Sequence, residues 1–196
     1  ILAGTERVVA VPSSSQAPHS NTTDLATQVD QTLPPGTDPD PELILSMEPD
    51  LVLNTARHGG EETAGQQLEQ AVVPVVNIDP SAFSTPETVA DTVTLVGEAL
   101  GEEEKAAKVT TVFLAEISQL DQTREETDQR FLALMARGDS VMAMDDSLML
   151  PGLITRAHGM NAGDAIGLTQ TRPIDAELIA TVNPDIIFLE DLQGQG

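Results

Sequence analysis

Residues 42–53 read ELILSMEPDLVL, and residues 177–188 read ELIATVNPDIIF. The two stretches start 135 positions apart, and Glu, Leu, Ile, Pro and Asp coincide in register. Each predicts a short helix capped by an aspartate (Asp40 or Asp175), followed by a Pro-Asp turn and a buried strand. A single αβ unit of this kind arises easily by chance. A repeat with five matching positions favours a molecule built from two related halves.

Strands and helices are predicted to alternate along most of the chain. Apolar runs bounded by turn residues predict strands at 8–11, 51–53, 72–78, 141–144 and 186–189. Capped amphipathic stretches predict helices at 41–47, 61–70, 85–100 and 150–157. Such alternation is typical of parallel α/β sheets, which bind ligands beyond the carboxyl ends of their strands.

One longer helix is predicted between these α/β regions. Apolar side chains recur at helical spacing at Val109, Phe113, Ile117 and Leu120. We therefore expect a helix that runs from residue 102 into the 120s and, after a polar break, reaches residue 137.

The order of elements predicts an α/β fold class with two Rossmann-like lobes joined by one long helix. We expect an N-terminal α/β lobe at 1–101, a connecting backbone helix at 102–137 and a partial C-terminal α/β lobe at 138–196. Only 59 residues follow Arg137, so the second lobe is expected to be incomplete and the chain to be a fragment. Two such lobes would enclose a ligand cleft.

Composition narrows the function. The chain has 32 acidic and 9 basic residues, a formal net charge of −23 and an isoelectric point near 4.1. Nucleic acids and anionic membranes are therefore disfavoured as partners. No transmembrane run, cysteine, zinc-like histidine spacing or catalytic motif occurs in the sequence. These observations predict no sequence-local metal site and no intrinsic cofactor, and they give no support to an enzyme.

Six residues lie in loops after predicted strands and are therefore candidates for lining the cleft. They are Ser14, Gln16, Arg57, His58, Asp145 and Asp146. Histidine can ligate iron, arginine pairs with carboxylates, and acidic groups suit cationic ligands or hard metals. Ordinary solvated loops explain the same residues equally simply.

The chain resembles a known family through motifs spread along its length. They are GTERVVAV at 4–11, the Glu48–Leu53 part of the first repeat, PVV at 74–76 and VGEALG at 96–101. This order is similar to that of the substrate-binding proteins of ABC importers for iron-siderophores, haem and cobalamin. In that family two α/β lobes are bridged by one rigid helix.

The resemblance implies an extracytoplasmic protein, periplasmic or a cell-surface lipoprotein, whose signal and anchor lie outside this chain. It would capture a ferric siderophore or haem and deliver it to the ABC permease subunits. In this family a glutamate on each lobe docks onto permease arginines, and by position these would be Glu42 and Glu177. The helix dipole also explains an acid in the first turn of each helix.

Three alternatives stay open at this point. Within the same family, the ligand would be cobalamin or another metal chelate. In another class, the chain would be a Rossmann-like α/β enzyme that lacks its catalytic segment. A truncated domain that keeps the fold without the ligand site would have the same sequence features.

Overall fold

A computed structural model of the chain describes residues 2–18, 20–36, 38–56, 58–125, 127–138 and 140–191. The helices are α1 (Thr23–Ala26), α2 (Pro41–Ser46), α3 (Gly59–Gln70), α4 (Pro86–Leu100), α5 (Glu103–Gln122), α6 (Met149–Arg156) and α7 (Ala176–Val182). The strands are β1 (Ala10–Pro12), β2 (Gln31–Leu33), β3 (Val52–Thr55), β4 (Val75–Ile78), β5 (Arg130–Arg137), β6 (Ser140–Ala143), β7 (Met160–Asn161), β8 (Arg172–Pro173) and β9 (Ile186–Asp191). The predicted α/β fold class is confirmed.

The chain divides into two compact units. The first unit comprises Ile1–Ala82 and Asp91–Thr110, and the second comprises Phe83–Ala90 and Thr111–Gly196. The division falls inside α4 and α5, so each of these helices contributes residues to both units. Our three-part division of the chain at residues 101 and 137 stays a prediction.

The first unit contains two parallel strand pairs. β1 pairs with β2, and β3 pairs with β4 in the register Val52↔Val75. Helix α3 buries Leu68 almost completely, at 1% exposure. It approaches β3 and β4 so closely at Gly65 that an added Cβ would lie 2.8 Å from the Asn54 side-chain nitrogen. A larger residue here would have to displace the Asn54 side chain, which donates to the Glu61 carbonyl and to the Asn77 side chain.

Gly97 brings α4 and α5 together in the same unit. A Cβ at this position would lie 2.3 Å from the Cβ of Ala106, which is 1% exposed. The ion pair between Arg7 and Glu102, at 3.1 Å, attaches the N-terminal segment to the loop between these helices.

The second unit is built on one mixed sheet centred on β5. β5 is parallel to β7 and β9 and antiparallel to β6, which in turn pairs antiparallel with β8. Leu132 and Leu134 pack into one core cluster with Val182, whereas Ala133 packs into the other with Ile154. Successive residues of β5 thus alternate between two cores, as a strand buried on both faces requires.

Arg156 of α6 binds one acidic residue of α4 and one of α5. Its guanidinium donates to both carboxylate oxygens of Asp121, at 2.8 and 2.7 Å, and to Glu87 at 2.7 Å. The hydrogen bonds from Arg156 hold the pKa values of Glu87 and Asp121 below their usual range. A bidentate guanidinium contact of this kind fixes orientation as well as charge.

The helix predicted up to residue 137 is wrong beyond Gln122, because Arg130–Arg137 form β5. A run of apolar residues is compatible with either structure, and burial between two cores selects the strand. Within α5, Phe113 and Ile117 are half-buried, but Leu120 is 63% exposed. Only part of the predicted apolar stripe is therefore packed against other residues.

Other predicted boundaries also shift. The strand predicted at 72–78 starts at Val75, and the one predicted at 8–11 is Ala10–Pro12. Elements α1, β2, β5, β7 and β8 were not predicted as such. The sheet of the second unit is not purely parallel, because Gly138, at φ 59°, allows the tight turn that joins β5 and β6.

Both copies of the repeat form the predicted capped helix, Pro-Asp turn and strand. Each begins at its aspartate cap, and the residue before the proline is left-handed in both: Glu48 has φ 52° and Asn183 has φ 48°. The two strands belong to different sheets, because β3 pairs with β4 and β9 pairs with β5. Neither strand is as buried as predicted, since Leu53 is 45% and Leu189 is 54% exposed. Among the described residues, β3 and β9 each pair with one strand only. Each therefore has one edge that no neighbouring strand shields from solvent.

Candidate functional site

Ser14 and Gln16 follow the carboxyl end of β1, in a short 3-10 helix at Ser13–Gln16. The Gln16 side-chain amide donates to the backbone carbonyls of Ala26 and Val29, at 2.9 and 3.2 Å. These bonds hold the end of α1 against the loop, so the amide nitrogen of Gln16 serves the fold. Ser14 is exposed and leaves its hydroxyl available to a ligand.

His58 lies between β3 and α3, as the residue that caps α3. Its backbone N–H donates to the Glu61 carboxylate at 3.0 Å, which fixes the start of the helix. His58 is exposed. The neighbouring candidate, Arg57, lies outside the described residues.

Asp145 is a buried carboxylate held by hydrogen bonds. It is 9% exposed and accepts from the Thr171 hydroxyl at 2.6 Å and from the Ser147 N–H at 3.0 Å. Burial raises the pKa of Asp145, but the bonds from Ser147 and Thr171 outweigh it and lower the pKa to about 2. Asp145 is therefore an anion that closes the loop after β6 onto the segment around Thr171.

Asp146, by contrast, is exposed and borders a cavity of about 450 Å³ in the second unit. Its carboxylate accepts from the Asn161 side chain at 2.5 Å. The cavity is also lined by Arg130 and Asp164, so it offers charges of both signs. Arg130 itself donates to the carbonyls of Val182 and Asn183 at the end of α7.

The position of the aspartates in the sheet differs from the expected one. Because β6 is antiparallel to β5, the residues after β6 lie beside the amino-terminal half of β5. The N–H of Met144 donates to the carbonyl of Ala133, which places Met144 beside the amino-terminal half of β5. Asp145 and Asp146 are therefore not at the edge formed by the carboxyl ends of β5 and β9.

A second cavity of about 240 Å³ is almost wholly apolar and lies against α6, β5 and β9. Phe131 and Phe188 stack beside it with ring centroids 5.8 Å apart. Sequence reasoning missed both cavities, because strands distant in the chain bring their walls together. No local pattern marked Arg130, Asn161 or Phe188 as a site residue.

Glu42 and Glu177 occupy equivalent positions in the two copies of the repeat. Each is exposed in the first turn of its helix, α2 or α7, and each follows an aspartate that caps that helix. Neither carboxylate has a hydrogen-bond or ion-pair partner within the part of the chain that the structure describes. Both are thus free to meet a basic partner.

No resident metal site is found in the described ranges, where no three His, Cys, Asp or Glu side chains come together to hold an ion. None of the helices described there is long and apolar enough to cross a bilayer.

Residues 1–195 match the model of a family described as periplasmic binding protein. The chain belongs to the periplasmic binding protein family. This confirms the resemblance that the sequence motifs indicated.

Known members of similar sequence or structure can be compared directly. A Bacillus subtilis protein, YhfQ, provisionally named an ABC transporter substrate-binding lipoprotein, is 24% identical over 81% of this chain. The chain spans about half of the length of that relative, 52%.

Two solved structures share the fold. The periplasmic haem-binding protein HutB of Vibrio cholerae matches with a TM-score of 0.74 and 21% identity, over 92% of this chain and 66% of HutB. The apo form of the periplasmic haem-binding protein RhuT of Roseiflexus sp. RS-1 matches with a TM-score of 0.76 and 22% identity, over 92% of this chain and 67% of RhuT.

Proposed function

We propose that this chain is part of the extracytoplasmic solute-binding component of an ABC importer. It captures an iron complex, haem or a ferric siderophore, and delivers it to the permease. The observation that carries the proposal is the family match over residues 1–195. The name of the Bacillus relative supports the link to an ABC transporter, and the structural neighbours named as haem-binding proteins support an iron complex as ligand.

The repeat supports delivery to a permease. Glu42 and Glu177 are exposed at equivalent positions of the two copies of the repeat, and one copy lies in each unit. Two carboxylates on separate units steer a basic partner electrostatically and fix its orientation, and they need little intrinsic affinity to do so. We propose that they meet arginines of the permease subunits.

Among the predicted cleft residues we assign direct ligand contact first to His58 and Ser14. Both are exposed and follow the carboxyl ends of strands in the first unit. A neutral imidazole is a usual axial ligand of haem iron, and a hydroxyl suits a siderophore or propionate oxygen. Arg57 is proposed as a partner for a ligand carboxylate. Gln16 and Asp145 act through the fold, and Asp146 stays a secondary candidate.

The proposal is tested by equilibrium titration with haemin, a ferric siderophore and cobalamin, followed by absorbance. We expect haemin to bind and its Soret band to shift as an axial ligand is gained. His58→Asn should weaken this binding by about tenfold or more and alter the band, because one ligand bond is lost. Asparagine is a good helix cap, so α3 should persist.

His158→Asn is the matched control. His158 has φ 63°, a conformation that asparagine tolerates, and the variant should leave the haemin titration unchanged. Binding of cobalamin alone would move the chain to the cobalamin branch of the family. Binding of none of the three ligands would contradict the proposal, and an unaltered Soret band in the His58 variant would remove His58 from the site.

A further inference from the structure

The surface of this protein carries a large uncompensated negative charge. Its 32 acidic residues face only 9 basic ones, and just two of those are lysines. Among the described residues, Asp145 is the one charged side chain that is buried. The remaining described carboxylates are therefore at or near the solvent boundary, where they repel one another.

Internal ion pairs neutralise little of this charge. The described pairs draw on four basic residues, Arg7, Lys105, Arg124 and Arg156. They serve only three acids, because Glu102 and Asp121 each bind two cations and Glu87 shares Arg156. Basic side chains are thus concentrated on a few acids, and these pairs leave most of the described carboxylates without a bound cation from the chain.

The hydrophobic core that opposes this repulsion contains many small side chains. Seven of the 17 buried apolar residues in the described ranges are alanines, and none is aromatic. Burial of a methyl group contributes far less free energy than burial of a leucine or phenylalanine side chain. Electrostatic repulsion therefore opposes a comparatively weak hydrophobic driving force.

From these observations we infer that the folded state depends on concentrated monovalent salt, with a diffuse layer of cations on the acidic surface as its partner. The screening length shortens from about 10 Å at 0.1 M salt to about 3 Å at 1 M, so the repulsion between exposed carboxylates is largely screened in concentrated salt. A separate cause of stabilisation is stronger apolar burial, which solutes excluded from the surface produce. The partner is a diffuse ion layer, in keeping with the lack of a clustered metal site in the described ranges. The protein accordingly belongs in a medium of high ionic strength.

Thermal unfolding of the 196-residue chain, followed by far-UV circular dichroism, tests this inference without any ligand. We expect the Tm to rise by about 10 °C or more between about 0.1 M and about 3 M KCl. Sucrose separates the two causes, because it strengthens burial without screening charge. A Tm that is independent of KCl, a rise with sucrose as large as with KCl, or no cooperative transition at any salt concentration would overturn the inference.

Two matched variants identify charge as the cause. The first replaces five exposed acids by their amides: Asp91→Asn, Glu98→Gln, Glu116→Gln, Glu125→Gln and Asp128→Asn. It should raise the Tm at low salt and flatten the dependence on KCl. The second exchanges aspartate and glutamate at the same five positions and keeps the charge, so it should retain the salt dependence of the parent. Equal salt slopes in the amide variant and the parent would contradict the role of surface charge.

Discussion

At the scale of single residues, Asp145 illustrates how a charged group can be part of the fold. It was predicted as a cleft residue because it follows a strand. Its two carboxylate oxygens accept from Ser147 and Thr171, which joins two segments of the second unit, and its place in a ligand cleft stays a prediction. The group is stabilised as an anion in the native state, and this makes the stability of the protein depend on pH.

We predict that Asp145→Asn destabilises the protein by roughly 2 kcal/mol at pH 7. The pKa of Asp145 in the folded state, about 2, lies below its ordinary value of 3.8. The stabilisation is therefore complete above pH 3.8 and is lost as the pH falls through about 2. Urea unfolding at both extremes measures it, and the two proteins should converge in acid. Asp91→Asn, at an exposed helix position, is the control, and equal stability of parent and Asp145 variant at pH 7 would refute the assignment.

Two helix glycines provide a second prediction at this scale. An added Cβ at Gly65 meets Asn54 at 2.8 Å and Asn77 at 3.3 Å, whereas at Gly152 in α6 its nearest contact is 3.7 Å. Gly65→Ala should cost about 1–3 kcal/mol through overpacking, and Gly152→Ala should add about 0.5–1 kcal/mol through helix propensity. Urea unfolding of both variants measures the contrast. If Gly65→Ala stabilises the protein as Gly152→Ala does, helix propensity governs Gly65 and the close approach to β3 and β4 does not.

At the scale of elements, the ends of helices decide where strands begin. Helix α3 ends in a reversal in which the N–H of Val73 donates to the carbonyl of Leu68, at 3.1 Å. Val72 sits in this reversal with φ 66° and is 87% exposed. A β-branched residue is strained in this conformation, and the reversal delays the strand predicted at 72–78 until Val75.

Val72→Gly should therefore stabilise the protein by about 1 kcal/mol, because glycine adopts the left-handed conformation without strain. Val73→Gly is the matched control. The described residues with positive φ do not include Val73, so glycine relieves no strain there and should destabilise the protein. Thermal unfolding of both variants measures the difference. If Val72→Gly lowers the Tm, the strain at this helix end is not as described.

At the scale of the whole molecule, the repeat places one exposed glutamate on each unit. Glu42 lies in the first unit and Glu177 in the second. Neither contributes to the core, and the neighbouring caps accept from backbone N–H groups and do not involve either glutamate carboxylate. Under the proposed function, ligand capture and delivery to a permease should therefore be separable by substitution.

We predict that the double variant Glu42→Gln and Glu177→Gln leaves ligand affinity unchanged and lowers uptake through the cognate permease by about tenfold or more. Each single variant should show a smaller loss. Uptake into vesicles that contain the permease, measured beside ligand titration, checks both parts. Glu104→Gln, an exposed acid in the first turn of α5, is the control. Full uptake by the double variant would contradict the docking role.

Local sequence determined the elements whose stability comes from bonds between near neighbours. The caps at Asp40 and Asp175 accept from N–H groups two or three residues further along the chain. A Pro-Asp turn then follows the end of each short helix. Such bonds depend on the chain over a few residues, so the helix–turn–strand repeat could be predicted without a structure. The exposed state of His58 in a loop after β3 was predictable for the same reason.

Tertiary structure alone decided the rest, because the deciding contacts join residues far apart in the chain. Arg130–Arg137 became a strand since β9, more than fifty residues later, pairs along it. The antiparallel course of β6 then moved Asp145 and Asp146 away from the predicted edge. The pairing of β5 with β7 brought Met160 beside Arg130, where both line the larger cavity. An apolar run has no preference for helix or strand until a partner covers it, so neither the sheet order nor the second-unit cavities could be read from local pattern.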